Sequence, residues 1–102
     1  MRRFRLTPDA QSDILDIRRF TVSQWGFSQA QRYLAELRRA MQLLSKTPSL
    51  GKARPEVGSN VSSFPYASHV IYYIVHEQQL VVFAVLHKRM VPARHLNERE
   101  II

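Results

Sequence analysis

The sequence predicts an α+β protein in which a small antiparallel-type sheet packs on an N-terminal helical hairpin. The first half of the chain repeats apolar residues at helical spacing, and the second half contains two apolar runs, residues 69–75 and 80–86. Both runs are rich in Val, Ile, Tyr and Phe, as strands are, and a short polar break separates them. We therefore expect the order β-α-α-β-β-β and a short C-terminal tail, in a single domain of residues 1–102.

The first strand and the first helix are predicted from local patterns. Residues 2–7 alternate arginine with apolar residues, as a short half-buried strand does. Thr7 can then cap the N-terminus of a helix, and Pro8 suits its first position. Gly26 is expected to end this helix, with Trp25 packed beside it in the core or the hinge.

The second helix carries the clearest periodic pattern in the chain. Ser28 is its expected cap, and Pro48 marks its end. Its apolar residues recur three and four positions apart: Ala30, Tyr33, Leu34, Leu37, Ala40, Met41 and Leu44. Because only two residues separate the helices, we expect them to lie antiparallel and to pack on the sheet.

The remaining segments connect or end the sheet. Residues 50–60 contain glycine, proline, serine and asparagine and are predicted to be a loop. Pro65 places the short strand at residues 61–66 at an edge or a bend of the sheet. Pro92 breaks the pattern after the last strand, and residues 94–102 can form one or two helical turns.

The two long strands predict that the sheet is apolar on both faces. Residues 70–75 and 80–86 do not alternate between apolar and polar side chains. Such strands need cover on both sides, and a helical hairpin covers only one. We therefore expect a partner segment to help cover the sheet.

Composition and charge limit the functions available to the chain. The net charge is +7, from 15 Lys and Arg against 8 Asp and Glu, and there is no cysteine. This charge favours a polyanionic partner or an acidic protein. The lack of cysteine excludes disulfides and thiolate metal sites. No apolar run approaches the ~20 residues of a membrane span, and no secretion signal is recognisable, so we expect a cytoplasmic protein.

Short segments along most of the chain carry a resemblance to one superfamily. They are residues 6–10 (Leu-Thr-Pro-Asp-Ala), 13–14, 25–26, 30, 33, 44–48, 51, 54, 64–66, 71–73 and 85–89. In this order and spacing, the chain resembles the RelE/ParE toxins, and within them the ParE branch of bacterial toxin–antitoxin systems. The resemblance implies the fold predicted above.

The resemblance also implies partners, which differ between the branches. ParE-like toxins bind DNA gyrase and trap its cleaved-DNA intermediate, whereas RelE-like toxins cut messenger RNA in the ribosomal A site. Both are neutralised by a cognate antitoxin, here a ParD-like protein with an acidic C-terminal segment. Neither function implies a cofactor or a small-molecule substrate, and neither involves a membrane.

The residues themselves favour the ParE branch. Metal-free RNA cleavage needs a base, an acid and cations around the phosphate. His87 or His95 could supply an imidazole, but the tail from residue 90 onwards has no tyrosine and a partner base is not evident beyond Glu56. Gyrase inhibition requires binding and no catalytic residue. A ribosome-dependent RNA endonuclease and a basic nucleic-acid-binding module stay open as alternatives.

The candidate binding residues are the clustered cations. They are expected to contact the target or the carboxylates of an amphipathic antitoxin segment lying along the second helix and the sheet. The candidates are Arg18, Arg19, Arg38, Arg39, Arg54, His87, Lys88, Arg89 and Arg94. His87 and His95 match no recognised metal-binding spacing, so no metal site is expected.

Overall fold

The computed structural model describes residues 3–96 and Arg99, and in this part of the chain two long helices pack on one face of a five-stranded sheet. The elements are β1 (Phe4–Leu6), α1 (Pro8–Trp25), α2 (Phe27–Lys46), β2 (Lys52–Ala53), β3 (Ser62–Tyr66), β4 (His69–His76), β5 (Gln79–His87) and α3 (Pro92–Leu96). A 3-10 turn, Pro48–Leu50, precedes β2. The predicted fold class is confirmed, with β2 as an additional strand. No helix in the described residues is long and apolar enough to cross a bilayer.

The strands lie in the order β1-β5-β4-β3-β2. All neighbouring pairs are antiparallel except β1 and β5, which are parallel. A parallel pair needs a long crossover between its strands, and the two helices lie within the connection from β1 to β5. β5 is therefore a central strand, and β1 forms one edge of the sheet.

The start of α1 is as predicted, whereas the start of α2 is not. The Ala10 N–H donates to Thr7 Oγ1 at 3.2 Å, so Thr7 caps α1. Gly26 has φ 89°, which glycine adopts without steric cost, and it ends α1. The prediction that Ser28 caps α2 is wrong, because α2 begins at Phe27 and Gly26 serves as its cap. A one-residue link leaves no room for a separate capping residue.

Two other predictions for the connections need correction. Trp25 is 64% exposed and does not pack in the core, because the tight turn directs it outwards at the tip of the hairpin. The predicted loop at residues 50–60 contains β2, which pairs with Ser62 and Ser63 of β3. The strand that contains Pro65 is not the edge of the sheet, because β2 pairs with β3 on its outer side. That pairing ends at Ser63, so Pro65, which pairs with Val70 of β4, lies where the outer side of β3 is open.

The core has two layers, one on each face of the sheet. The layer under the helices contains Leu37, Met41 and Leu44 of α2 with Ile71 and Tyr73 of β4. These side chains are nearly free of solvent contact, as the helical periodicity predicts.

The opposite face is covered by the chain itself. Phe83 and Tyr72 on this face are buried in a cluster with Val61 and Leu96, and Val57 packs against it. The expectation that this face lacks cover is therefore wrong. The physical reason is that the segment before β3 and the C-terminal helix α3 supply apolar side chains to it, so a partner is not needed there.

Candidate functional site

An apolar groove lies between α1, α2 and the edge strand β1. A cavity of about 200 Å³ in this groove is lined by Phe4, Leu6, Ile14, Leu34, Leu37, Arg38 and Met41. The guanidinium carbon of Arg38 lies 5.4 Å from the centre of the Phe4 ring, a cation–π contact. A positive charge therefore stands beside an apolar floor.

A second cavity continues this groove towards the tip of the hairpin. It has a volume of about 430 Å³ and is lined by Arg18, Phe27, Ala30, Gln31, Leu34 and Ala35. Leu34 lines both cavities, so they form one surface, which we call the hairpin groove. Phe27 is 54% exposed, which leaves a large aromatic side chain available to a partner.

The open edge of β1 borders the hairpin groove. β1 is the terminal strand of the sheet, and its backbone hydrogen bonds reach β5 through Arg3 O and the Thr7 N–H. Because the backbone groups of successive residues in a strand point to opposite sides, the N–H and C=O of Phe4 point away from β5, towards the open side of β1. An edge strand of this kind can pair with an added extended peptide, whose side chains would reach the apolar floor.

The hairpin groove brings together two of the predicted cations and separates them from three others. Arg18 and Arg38 line it. Arg19 is exposed on α1 and lines neither cavity. Arg39 is paired with Glu36 at 2.7 Å on an exposed face of α2.

Arg54 lies away from the hairpin groove, on the far side of the sheet. Its Nε donates to Ser63 Oγ at 2.7 Å, so this cation is held by β3. Burial raises the pKa of the Tyr72 hydroxyl, and the charge of Arg54 acts in the opposite direction. Arg54 is thus close to the buried layer of the second face and cannot share a contact with the hairpin groove.

One of the remaining predicted residues, His87, lines a different cavity, at the end of β5. This histidine cavity has a volume of about 460 Å³ and lies between α1, the strand ends and α3. His87 lines it together with His69 and His95. Lys88, Arg89 and Arg94 are exposed on the segment that follows His87.

Hydrogen bonds bear on the proton positions of two of these histidines. Tyr33 Oη accepts from the Ser68 N–H at 3.3 Å and lies 2.6 Å from His69 Nδ1, and we assign the phenol as the donor in this second contact. His87 Nδ1 accepts from the Arg89 N–H at 3.1 Å. Since Nδ1 is an acceptor in both rings, the ring proton is on Nε2 in each neutral imidazole. Burial, and secondarily His87, lower the pKa of His69, which favours this neutral form.

A buried ion pair forms one wall of the histidine cavity. Arg99 donates to both carboxylate oxygens of Asp13, and the Val85 N–H donates to Asp13 Oδ2 at 2.9 Å. The hydrogen bond to Asp13 raises the pKa of Arg99. The Arg99 charge is therefore neutralised within the protein.

The histidine cavity does not have the composition of an RNA-cleaving site. It has imidazoles, and a phenol lies behind His69, but its walls also carry the carboxylates of Asp13 and Asp16. Among the described lining residues the one guanidinium is that of Arg99, which Asp13 holds. A phosphate in this cavity would therefore meet carboxylates without a free cation in the wall. The described residues also contain no cluster of three His, Asp or Glu suited to a metal ion.

The described chain is a small basic protein in which a helical hairpin packs on a sheet, with an apolar groove flanked by arginines at the sheet edge. Comparison with known families makes this specific. The family described as "ParE toxin of type II toxin-antitoxin system, parDE" matches residues 4–92. The chain belongs to this family, and it is a toxin of a type II toxin–antitoxin system with an antitoxin as partner.

Individual relatives agree with this assignment over nearly their whole length. Toxin ParE1 of Mycobacterium tuberculosis is 34% identical over 95 residues, covering 92% of this chain and 97% of the relative. Toxin ParE1 of Caulobacter vibrioides is 28% identical over 97 residues, covering 95% and 100%. The solved structure "Chromosomal ParDE TA system from P. aeruginosa" superposes with a TM-score of 0.72 at 16% identity, covering 85% of this chain and 96% of that one, and shows the same fold.

Several residues of these surfaces escaped the sequence analysis. Phe4 and Ile14 form the floor of the hairpin groove, and their apolar character at an edge strand and on a helix flank was a usable signal. Tyr33 and His69 form a hydrogen bond across 36 positions of sequence, for which no local pattern exists. Asp13 entered the sequence analysis only among the segments that carry the resemblance, although its helical spacing from Ala10 and Ile17, which are buried with it, was a usable signal.

Proposed function

We propose that an acidic, amphipathic segment of the cognate antitoxin binds the hairpin groove, and that the free toxin inhibits DNA gyrase by trapping its cleaved-DNA intermediate. The observation that carries the first part is the hairpin groove itself, an apolar floor flanked by Arg18 and Arg38 beside an open strand edge. A groove of this composition suits a partner with apolar side chains on one face and carboxylates on its flank.

The groove offers two forms of contact to such a segment. A helical portion can place apolar side chains against Leu34 and Phe27, where burying apolar area contributes about 25 cal/mol per Å². An extended portion can pair with β1 and add backbone hydrogen bonds. Carboxylates then meet Arg18 and Arg38, and these contacts select an acidic segment over the basic sequences of other proteins.

Gyrase is the target that family membership and chemistry favour. Relatives at 27–34% identity are named Toxin ParE or ParE1, and inhibition of gyrase needs only a surface that binds the enzyme. The described residues offer such surfaces and the full sequence carries a net charge of +7, whereas the histidine cavity lacks the cations that RNA cleavage needs. The protein would act in the cytoplasm, where gyrase and DNA are.

A supercoiling assay with purified gyrase tests the target. We expect the free protein to inhibit supercoiling and to accumulate cleaved DNA, and we expect equimolar antitoxin to abolish both effects. A translation reaction run in parallel monitors messenger RNA. Cuts in the ribosomal A site, with supercoiling unaffected, would replace gyrase by the ribosome as the target.

A charge reversal tests the antitoxin site. Arg38→Glu places a carboxylate beside the apolar floor, and we expect it to weaken antitoxin binding by about 100-fold, as for loss of a close charge pair plus repulsion. Arg39→Glu is the matched control, because Arg39 faces away and pairs with Glu36. Titration calorimetry measures both. Equal losses for the two variants would mean that net charge, and not the groove, determines binding.

A further inference from the structure

The histidine cavity is separate from the hairpin groove, although α1 contributes to both. Phe20 lines the histidine cavity and Arg18 lines the groove. At 100° per residue, these two side chains lie about 200° apart around the helix axis. A partner in one site therefore leaves the other side of α1 uncovered.

The rim of the histidine cavity has exposed large apolar side chains. Phe20 and Met90 line the cavity and are 61% and 44% exposed, and Val91, next to Met90 in the chain, is 51% exposed. Aromatic and methionine side chains are enriched at the centres of protein interfaces, and a cavity beside them can receive one anchoring side chain. Each of these three residues keeps roughly half of its surface open to solvent.

Two polar groups of the cavity are available as hydrogen-bond donors. His87 Nδ1 accepts from the Arg89 N–H, and His69 Nδ1 is assigned as the acceptor of the Tyr33 proton, so each ring retains an Nε2–H. The rings are held close together, with centres 5.5 Å apart. Two neighbouring N–H donors select an acceptor ligand, and a carboxylate provides two acceptor oxygens.

The charges around the cavity also favour an acidic partner. Lys88, Arg89 and Arg94 are exposed on the segment after β5. Asp13 is neutralised by Arg99, which leaves Asp16 as the opposing charge in the wall. The surrounding field is positive, while the interior contains neutral donors and apolar carbon.

We propose that the histidine cavity is a second docking site, which binds a carboxylate side chain on an acidic surface of the protein that the free toxin inhibits. The Nε2–H groups of His69 and His87 bind the carboxylate, and Phe20 and Met90 cover its apolar stem. The proposal rests on the proposed function for the existence of a protein target. It adds the location at which that target is bound.

A protein carboxylate fits this site better than a nucleic-acid phosphate. A phosphodiester backbone brings a row of negative charges past Asp16, whereas a protein carboxylate brings one, so the repulsion from the wall is smaller for the carboxylate. The apolar residues Ile17 and Leu86 form much of the interior, and they favour a ligand with an aliphatic stem.

Two substitutions in the cavity test the proposal. His87→Leu removes one donor at similar size, and Phe20→Ser removes the apolar rim at an exposed position that the fold does not need. We expect each variant to require at least about tenfold more protein for growth arrest and for target inhibition, as for loss of a hydrogen bond to a charged group. Antitoxin affinity should change by less than about threefold, because the hairpin groove is intact.

Leu43→Ser is the matched control, since Leu43 is 49% exposed on α2 and lines neither cavity. It should retain full growth arrest. Circular dichroism and the antitoxin titration verify that each variant is folded. Undiminished growth arrest by both cavity variants would overturn the proposal, as would loss of antitoxin binding in parallel with loss of growth arrest.

The failure of this proposal can be distinguished from that of the gyrase assignment. If the wild-type protein arrests growth without inhibiting purified gyrase, the gyrase assignment is wrong, but a selective loss of growth arrest in the two cavity variants still supports the docking site. A short DNA duplex provides the alternative ligand. Salt-dependent binding of that duplex that is lost in His87→Leu would assign the cavity to phosphate and overturn the carboxylate proposal.

Discussion

Asp13 and Arg99 form a two-pronged ion pair beyond the point where β1 ends. Arg99 Nη1 donates to Asp13 Oδ2 at 2.6 Å and Nη2 donates to Oδ1 at 2.9 Å. The same two side chains also form hydrogen bonds with the backbone of β5. The Val85 N–H donates to Asp13, and Phe83 O accepts from Arg99 at 3.1 Å. The two side chains thus satisfy the edge of β5 that β1 is too short to reach.

Removal of one partner from this pair should therefore be costly. Asp13→Ala leaves the Val85 N–H and the Arg99 guanidinium without their acceptor, and we expect a loss of about 3 kcal/mol in the free energy of unfolding. Denaturant unfolding followed by circular dichroism measures it. Asp16→Ala is the control at an exposed position of the same helix, with an expected change below about 0.5 kcal/mol. A similar small change for Asp13→Ala would show that water replaces the pair without cost.

The turn between β4 and β5 should be stabilised by glycine. Glu77 and Gln78 have φ of 50° and 64°, a left-handed pair that a two-residue hairpin turn requires and that non-glycine residues adopt at a cost. We expect Gln78→Gly to raise the free energy of unfolding by about 0.5 kcal/mol, after the entropy that glycine adds to the unfolded chain. Gln79→Gly, within β5, should lower it by a similar amount. Thermal unfolding of both variants is the measurement, and a loss in Gln78→Gly would contradict the expectation.

The helices and long strands could be predicted because their signals are local. The spacing of Leu37, Met41 and Leu44 arises because one face of a single helix packs on the core, and this spacing does not depend on the rest of the fold. The pairing register of two strands cannot be predicted from such local spacing. The turn alone would pair His69 with Leu86, but an irregularity opposite Tyr72 and Tyr73 shifts the register by one and places His87 opposite His69.

The candidate sites were only partly predictable for a related reason. Charge clustering pointed to the neighbouring arginines Arg38 and Arg39, but adjacent residues on a helix face directions about 100° apart. Arg38 follows Leu37 of the apolar stripe and borders the hairpin groove, whereas Arg39 turns towards Glu36. The histidine cavity depends on contacts between segments that are distant in the sequence, such as Tyr33 with His69. Amino-acid composition and local patterns cannot predict such contacts.

Gly51 is expected to tolerate no side chain. A Cβ on Gly51 would collide with the hydroxyl of Tyr73 and would lie 2.9 Å from the backbone oxygen of Ser63. That hydroxyl donates to Pro48 O at 2.6 Å, which ties the 3-10 turn to the buried face of β4. Gly51→Ala should therefore lower the free energy of unfolding by about 2 kcal/mol through overpacking and loss of this hydrogen bond.

The double variant Gly51→Ala, Tyr73→Phe separates the two causes. Deletion of the hydroxyl removes the nearest clash, so the double variant should be less destabilised than the sum of the single changes. Denaturant unfolding of all four proteins completes the cycle. Strict additivity would mean that the collision is relieved by movement of the turn and not by the tyrosine.

Acid should destabilise the protein through His69. Burial, with His87 as a second cause, lowers the pKa of His69 in the folded state, so near pH 6 the unfolded chain binds more protons. The contribution is fully present above the unfolded pKa of about 6.5, and it is lost as the pH falls below that value towards the folded pKa. Tyr33 Oη lies 2.6 Å from Nδ1 of the same ring, and protonation of Nδ1 would require the phenol to change from donor to acceptor in this contact. We expect His69→Asn to keep an acceptor for Tyr33 and to lose much of the pH dependence of unfolding below pH 6.5. Denaturant midpoints at several pH values test this, with His76→Asn at the other end of β4 as the control, and an unchanged slope in His69→Asn would assign the acid sensitivity to other groups.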